Sequence, residues 1–311
     1  MDRLESMSIL VTAAEAGSLS AAARRLGLPL TTVSRKVSEL EAYLKTTLLT
    51  RSSRRLTLTD AGRSYVADCK RILDDVEEAE RAASGEYSAP KGDLIITVPI
   101  VFGRLHVLPV IAAFLKDYPD INIQIMLADR LVNLIEGHID LAVRIGELPD
   151  SSLVATRVGT IRRVVCASPD YFAARGTPKS PGDLSTHDCI TFEGLTSPDT
   201  WMFTTGKSET SVAIHSRLVV NTAEAAIDAA IAGVGITRVL SYQVANAMRA
   251  GTLALALQEF EAAPWPVSLV HVGQRLLPLK LRAFLDFAVP RLKAGLSATS
   301  LETLACRVHE P

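Results

Sequence analysis

Cysteine is scarce in this 311-residue chain, and the four that occur, Cys69, Cys166, Cys189 and Cys306, form no C-x-x-C pair. That excludes zinc ribbons and redox dithiols and fits a reducing compartment. No apolar run suits a membrane: Val107 to Leu115 is about half of the roughly 20 residues needed to cross a bilayer. The opening Met1-Asp2-Arg3-Leu4-Glu5 has neither a basic n-region nor an apolar h-region, so no secretory signal is expected and a cytoplasmic location is. Excess charge is missing too. Lys plus Arg number 33 against 34 Asp plus Glu, so the chain as a whole is neither a polybasic coat nor an acidic tail. There is no G-x-S-x-G elbow, no G-x-x-x-x-G-K-[ST] loop, no G-x-G-x-x-G after a strand and no H-E-x-x-H. His106, His138, His187, His215, His271 and His309 are scattered along the chain. Neither an enzyme activity nor a cofactor or metal is expected.

What is present is an ordinary folded composition, 48% hydrophobic and 22% charged, over a length that one core seldom organises. Two or more domains are expected. Charge is unevenly spread. Between Ser18 and Arg63 nine basic residues (Arg24, Arg25, Arg35, Lys36, Lys45, Arg51, Arg54, Arg55, Arg63) face three acids (Glu39, Glu41, Asp60), so the remainder must be net acidic. Such asymmetry points to a nucleic-acid-binding end attached to something else.

Leu4, Met7, Val11 and Ala14 repeat at 3, 4, 3 and predict one apolar stripe on a first helix ended by Gly17. Ser18 is the expected N-cap of a second helix, Leu19 to Leu26, broken by Gly27-Leu28-Pro29. A third helix carries Val33, Val37, Leu40 and Leu44 as its buried stripe. Two short helices about a tight turn make a helix-turn-helix. The third helix would then present Thr31, Thr32, Ser34, Arg35 and Lys36 to base edges in a major groove. Leu49 to Leu58 reads as a hairpin wing whose basic residues would meet phosphates or a narrow minor groove. From Thr59 a long helix runs to about Ser84, with Tyr65, Cys69, Ile72, Val76, Ala79 and Ala83 at heptad spacing. This seam either pairs with another helix or packs on the chain's own domain. Gly85 to Gly92 is a linker.

Beyond it strands and helices alternate: strand Leu94 to Val98, helix Leu105 to Lys116 with Pro109 as a kink or a late start, strand Ile121 to Leu127, helix Leu131 to Glu136, strand Ile139 to Val143. A second set runs from strand Val164 to Ala167, through a helix near Tyr171 to Ala174 and strand Leu218 to Val220, to a helix from Ala223 to Ala232. The pattern predicts two α/β units with parallel sheets covered on both faces. Val267 to Val272 and a final helix, about Leu279 to Leu292, would cross back to the first unit.

The run Gly17-Ser18-Leu19-Ser20-Ala21-Ala22-Ala23-Arg24-Arg25-Leu26, with Val33-Ser34-Arg35, Leu40-Glu41, Leu48-Leu49-Thr50-Arg51 and Leu58-Thr59-Asp60-Ala61-Gly62, resembles the winged helix-turn-helix of LysR-type transcriptional regulators. Gly92-Asp93-Leu94, Ile139-Asp140-Leu141-Ala142-Val143-Arg144 and Gly233-Val234-Gly235-Ile236 extend the resemblance over nearly the whole chain. It implies an N-terminal winged helix-turn-helix (residues 1–59), a linker and dimerisation helix (60–91), an effector domain (92–295) and a tail (296–311). The effector domain is expected to be a two-lobed α/β fold like the periplasmic solute-binding proteins. Lobe I covers about 92–162 and 267–295, and lobe II about 163–266.

The implied DNA-binding residues are Ser20, Thr31, Thr32, Ser34, Arg35, Lys36, Arg51, Arg54 and Arg55. The implied dimer seam is Tyr65, Cys69, Ile72, Val76 and Ala79. By resemblance Val101, Phe102, Arg144, Asn221, Thr222 and Thr237 line an effector cleft, the alternatives being a core Phe102, a helix-capping Asn221 and a lobe-to-lobe salt bridge for Arg144. Helix N-termini at such a crevice would offer N–H groups to an anion such as a carboxylate. Residues 99–103 contain no hydroxyl, which favours a less polar effector. Implied partners are a double-stranded DNA operator, an unidentified small-molecule effector, RNA polymerase, and further copies of the chain in a homodimer or homotetramer, with no membrane partner. The chain also departs from the pattern. Pro29-Leu30-Thr31-Thr32 stands where Ser-Gln-Pro-Ala is common, Leu44-Lys45 replaces Leu-Gly, and Arg238-Val239 replaces Leu-Pro. A cytoplasmic solute-binding protein and a DNA-binding module fused to an α/β enzyme are the rival readings.

Overall fold

The computed structural model describes residues 2–51, 56–84, 89–130, 132–149, 152–192, 200–206, 208–273 and 277–298, with the backbone alone described at 51, 75, 78, 81–84 and 298. The chain separates into two compact units, Met1–Gly92 and Asp93–Pro311.

The first unit runs α1 (Arg3–Ala16), α2 (Leu19–Leu26), α3 (Leu30–Leu44), β1 (Leu49–Arg51), β2 (Leu56–Leu58) and α4 (Asp60–Ser84). Local chemistry sets the first boundaries. Gly17 closes α1 at φ 65°, the Ser18 hydroxyl accepts from the Ala21 amide at 3.0 Å to open α2, and Gly27 closes α2 at φ 65°. The buried stripe of α1 is not the predicted one. Ile9, Leu10 and Ala13 are buried, whereas Leu4 is 42% exposed and Met7, Val11 and Ala14 are half-buried. The consecutive Ile9-Leu10-Val11 permits stripes on adjacent faces, and the side covered by α2, α3 and α4 decides between them. On α3 the predicted core positions Val33, Val37 and Leu40 are fully buried.

The recurrent residues between α3 and α4 are fasteners. Glu41 Oε1 accepts from the Leu48 and Leu49 amides at 2.8 and 2.9 Å. The Thr59 amide donates to Leu48 O at 3.0 Å, and the Thr59 hydroxyl accepts from the Gly62 amide at 2.9 Å. A Cβ on Gly62 would lie 2.0 Å from Leu48 O, so the hairpin is pressed onto the start of α4 as only glycine allows. The hairpin pairs Leu49 with Leu58 and Arg51 with Leu56.

In the second unit β3 (Gly92–Val98) leads through α5 (Ile100–Phe102) and a π turn (Gly103–Val107) into α6 (Leu108–Asp117). The helix thus starts five residues before the predicted Leu105, and the π turn takes up the register that Pro109, lacking an N–H, cannot complete. Then come β4 (Ile121–Leu127), β5 (Leu141–Ile145), β6 (Leu153–Ile161), β7 (Arg163–Ala167), α7 (Pro169–Arg175) and β8 (Asp188–Phe192). The helix predicted over 131–136 is replaced by a turn at 134–138 ending at His138, φ 50°, and the third strand starts at Leu141 rather than Ile139. The hairpin β9 (Thr200–Thr205) and β10 (Ser208–Ala213), followed by β11 (His215–Val220), α8 (Ala223–Ile231), β12 (Ile236–Leu240), α9 (Ser241–Arg249), β13 (Ala254–Ala256), β14 (Trp265–Val272) and α10 (Leu279–Ala298), completes the unit.

Two five-stranded sheets result, in orders β4-β3-β5-β14-β6 and β11-β8-β12-β7-β13. They are mixed, not parallel: β3 runs parallel to β5, but β14 is antiparallel to β5 and β6, and β12 is parallel to β8 and antiparallel to β7. Strand β14 returns to the first sheet as predicted. The chain changes sheets at Arg162, whose carbonyl accepts from the Ser241 amide at 2.8 Å while its own amide donates to the Ser241 hydroxyl at 3.2 Å. Gly235 enters β12 where a Cβ would meet Asp188 O at 2.3 Å.

Candidate functional site

The exposed side of the helix-turn-helix carries the first set of predicted residues. Ser20 and Thr31 are exposed, Thr32 and Ser34 half-buried, and the Arg35 side chain is 61% exposed. Arg35 Nη1 donates to Glu39 Oε1 at 2.6 Å one turn on. Lys36 departs from the expectation. Its side chain is only 14% exposed and its ammonium is paired with Glu5 on α1, so it ties α3 to α1 instead of standing free. Leu30 is 46% exposed at the first position of α3. Arg54 and Arg55 lie outside the described residues, as does the side chain of Arg51.

The predicted seam on α4 divides. Cys69 is fully buried within its own unit, its thiol pushed up to about 11 chiefly by burial, and Tyr65 is half-buried with a side-chain hydrogen bond to Cys69. These two positions are core positions of the unit itself. Ile72 and Val76 are half-buried and Ala79 is exposed.

In the second unit a cleft of about 780 Å³, counting its open mouth, lies between the two sheets. One side is built by Pro99 and Val101 after β3, Ala128 and Asp129 after β4, Val143 to Ile145 of β5, and Trp265 of β14; the other by Phe192, by Asn221 to Glu224 at the start of α8, and by Leu240, Tyr242 and Gln243 around the start of α9. Of the predicted lining residues, Val101, Arg144, Asn221 and Thr222 are there. Phe102 and Thr237 are not. Phe102 is fully buried, with its ring centroid 5.4 Å from that of Tyr242, and Thr237 is fully buried with its hydroxyl donating to Ile190 O at 3.1 Å. Both are buried in the protein's interior and do not reach the cleft surface. Arg144 sits within β5, and its Nη2 donates to Val132 O at 2.9 Å; burial lowers its pKa. Thr222, not Asn221, caps α8, accepting from the Ala225 amide at 3.2 Å.

Sequence reasoning missed Asp129, Glu224, Tyr242, Gln243 and Trp265. Their signal was position, since each follows or opens an element whose end reaches the cleft. Burial, then the Asp129 and Glu224 charges, raise the Tyr242 pKa. On β12, Arg238 is 7% exposed over the Phe203 ring, 4.9 Å from its centroid, and among the described residues its Nε and Nη1 have no hydrogen-bond partner. Burial, reinforced by Arg163 and opposed by Glu261, brings its pKa down to about 9. Glu261 itself pairs with Arg162 at 3.3 Å.

Among the described residues no helix is long and apolar enough to cross a membrane, and no group of three or more His, Cys, Asp or Glu is disposed to hold a metal ion. An exposed recognition helix in one unit and a ligand-sized cleft in the other define a DNA-binding regulator with a sensor domain. The family described as bacterial regulatory helix-turn-helix protein, lysR family, matches residues 4–63, and the LysR substrate binding domain matches residues 88–293. The chain belongs to the LysR-type transcriptional regulators, which are effector-modulated DNA-binding proteins and not enzymes.

Among curated relatives it is 36% identical to an HTH-type transcriptional regulator of Xanthomonas campestris pv. campestris (strain 8004), over 91% of this chain and 84% of that one. It is 31% identical to the HTH-type transcriptional activator AaeR of Escherichia coli (strain K12), over 92% and 93%. The solved structure of CrgA, a LysR-type transcriptional regulator from Neisseria meningitidis, is similar with a TM-score of 0.59 and 32% identity, covering 93% of this chain and 98% of that one. The fold is therefore of the full-length regulator type, with a periplasmic-binding-protein-like second domain.

Proposed function

We propose that residues 1–59 bind an operator through Ser20, Thr31, Thr32, Ser34 and Arg35, with Arg51, Arg54 and Arg55 of the hairpin on the backbone or minor groove. Residues 60–91 would pair with a second copy through Ile72, Val76 and Ala79, and residues 92–295 would bind a small effector at Val101, Arg144, Asn221 and Thr222. The single observation that carries this reading is the orientation of α3: Val33, Val37 and Leu40 are buried while Thr31 and Arg35 on the opposite side are open, the disposition a major-groove helix requires. Two such helices about a two-fold axis would meet successive major-groove faces roughly 34 Å apart. The protein would act in the cytoplasm, where the operator and RNA polymerase are. Effector binding changes output only in so far as the ligand prefers one arrangement of the cleft.

A mobility-shift titration of the full chain on DNA upstream of its own and the adjacent gene, with and without metabolites of neighbouring pathways, tests this. A sequence-specific shift altered by a ligand is the expected result. Binding that is equal on unrelated DNA and unaffected by Arg35→Ala would overturn the interface.

A further inference from the structure

At each of the helix starts that reach the cleft one backbone amide, in the first turn of α5 and α8 and at the N-cap of α9, is already satisfied by a side chain. Asp129 Oδ1 accepts from the Ile100 amide at 3.0 Å, Thr222 Oγ1 from the Ala225 amide at 3.2 Å, and Gln243 Oε1 from the Leu240 amide at 2.9 Å. All three capping residues line the cleft. At α5 the cap is a carboxylate, which sets a full negative charge where the helix would otherwise attract an anion. A carboxylate seeking helix N-termini therefore finds the Ile100 and Ala225 amides already engaged.

Charge points the same way. Asp129 and Glu224 line the cleft against a single guanidinium, Arg144, which is tied to Val132 O. Among the described residues no ion pair engages either carboxylate. Both lie near enough to the Tyr242 hydroxyl, which lines the same cleft, to add to the rise that burial gives its pKa. The remaining walls, Val101, Phe192 and Trp265, offer apolar and π surface, which attracts cations as well as rings. Arg163 lies 4.0 Å from the Trp265 ring centroid but does not line the cleft.

We infer that the cleft takes an organic cation, with an ammonium or amidinium group held by Asp129 and Glu224 and an apolar or aromatic body against Val101, Phe192 and Trp265. This rests on the cleft being the effector site. Desolvation within the cleft strengthens such a pairing, and a ligand carboxylate placed there would face two like charges.

The test uses two probes of matched shape and opposite charge, 2-phenylethylammonium and phenylacetate, titrated calorimetrically into the full chain. The ammonium is expected to bind at least about tenfold more tightly. Asp129→Asn, which keeps the oxygen that caps α5, and Glu224→Gln are each expected to weaken it, and the double variant to abolish the preference. Tighter or equal binding of phenylacetate, no binding of either probe, or a preference that survives the double variant would overturn the inference. Asn221→Trp, placed at the cleft, separates the two layers of the reading. Phenylacetate binding that this variant abolishes leaves the site standing and sinks only its charge preference. Ammonium binding that persists undiminished in it sinks the site as well.

Discussion

Arg35 and Glu39 are joined across one turn of α3 by a 2.6 Å hydrogen-bonded ion pair on the outer side of the recognition helix. The pair is exposed, so it holds Arg35 in a preferred direction at little energetic cost to break, about 0.3–0.5 kcal/mol. DNA can therefore compete for the guanidinium. Arg35→Ala should weaken operator binding by about 1–3 kcal/mol and relax base preference if the guanidinium makes a bidentate base contact. Glu39→Gln should act in the opposite direction, raising affinity by removing a carboxylate that repels phosphate. Fluorescence anisotropy on specific and scrambled duplexes over a salt series measures both. A loss of affinity in Glu39→Gln would mean that the pair itself is the DNA-binding unit.

Lys45 occupies the helix C-cap of α3 at φ 52°, a left-handed conformation that costs a residue bearing a Cβ about 1–2 kcal/mol. It stands where Leu-Gly is common. Lys45→Gly should recover about 1 kcal/mol after the larger backbone entropy of glycine in the unfolded chain is counted. Denaturant unfolding of the full chain, followed by a probe in the first unit, would register this as a higher midpoint. A lower midpoint would show that the Lys45 side chain stabilises the cap by more than its backbone strains it.

Arg238 is a buried base with two nitrogens that have no hydrogen-bond partner among the described residues, and a pKa brought down to about 9 from 12.5. A base whose folded pKa is depressed carries its full penalty below the folded value, and the penalty shrinks as pH rises from about 9 toward 12.5. Arg238→Met should therefore stabilise the second unit at neutral pH, since Glu261 keeps Arg162 as its partner. The gain should narrow above pH 9. Calorimetric melting at pH 7.5 and 10 compares the two. Destabilisation at neutral pH would establish Arg238 as a needed partner of Glu261.

The described cysteines should be chemically silent. Burial pushes Cys166 and Cys189 up to about 12 and Cys69 up to about 11, so almost no thiolate exists at pH 8. Iodoacetamide at that pH, with peptide mapping, should label these three only after denaturation. Rapid labelling of Cys166 in the native protein would reveal opening of the second sheet.

Legibility in the sequence followed the range of the interactions. Gly17, Ser18 and Gly27 act on residues three or four away, so the ends of α1 and α2 could be read directly. The Thr59 to Gly62 run was legible as a motif, although its reason, contact with Leu48 O, is tertiary. The α1 stripe failed because three apolar residues in succession let neighbouring helices choose the buried face. Phe102 and Thr237 are placed at the cleft by position in the sequence, but Phe102 packs beside Tyr242 and Thr237 bonds to Ile190 O, and those tertiary contacts bury both. The Lys36 to Glu5 pair links residues 31 apart, beyond the reach of any helical periodicity. Mixed sheets were hidden because strand direction in β12 and β14 depends on crossings between the sheets rather than on local pattern.

The reciprocal bonds between Arg162 and Ser241 fasten the chain where it crosses between the two sheets. They couple the residue at which the chain leaves the first sheet to the residue that opens α9, and with it Tyr242 and Gln243. A displacement that parted Arg162 from Ser241 would break both bonds at once. A ligand that displaced Tyr242 or Gln243 would therefore pull beside the point where the chain crosses between the sheets.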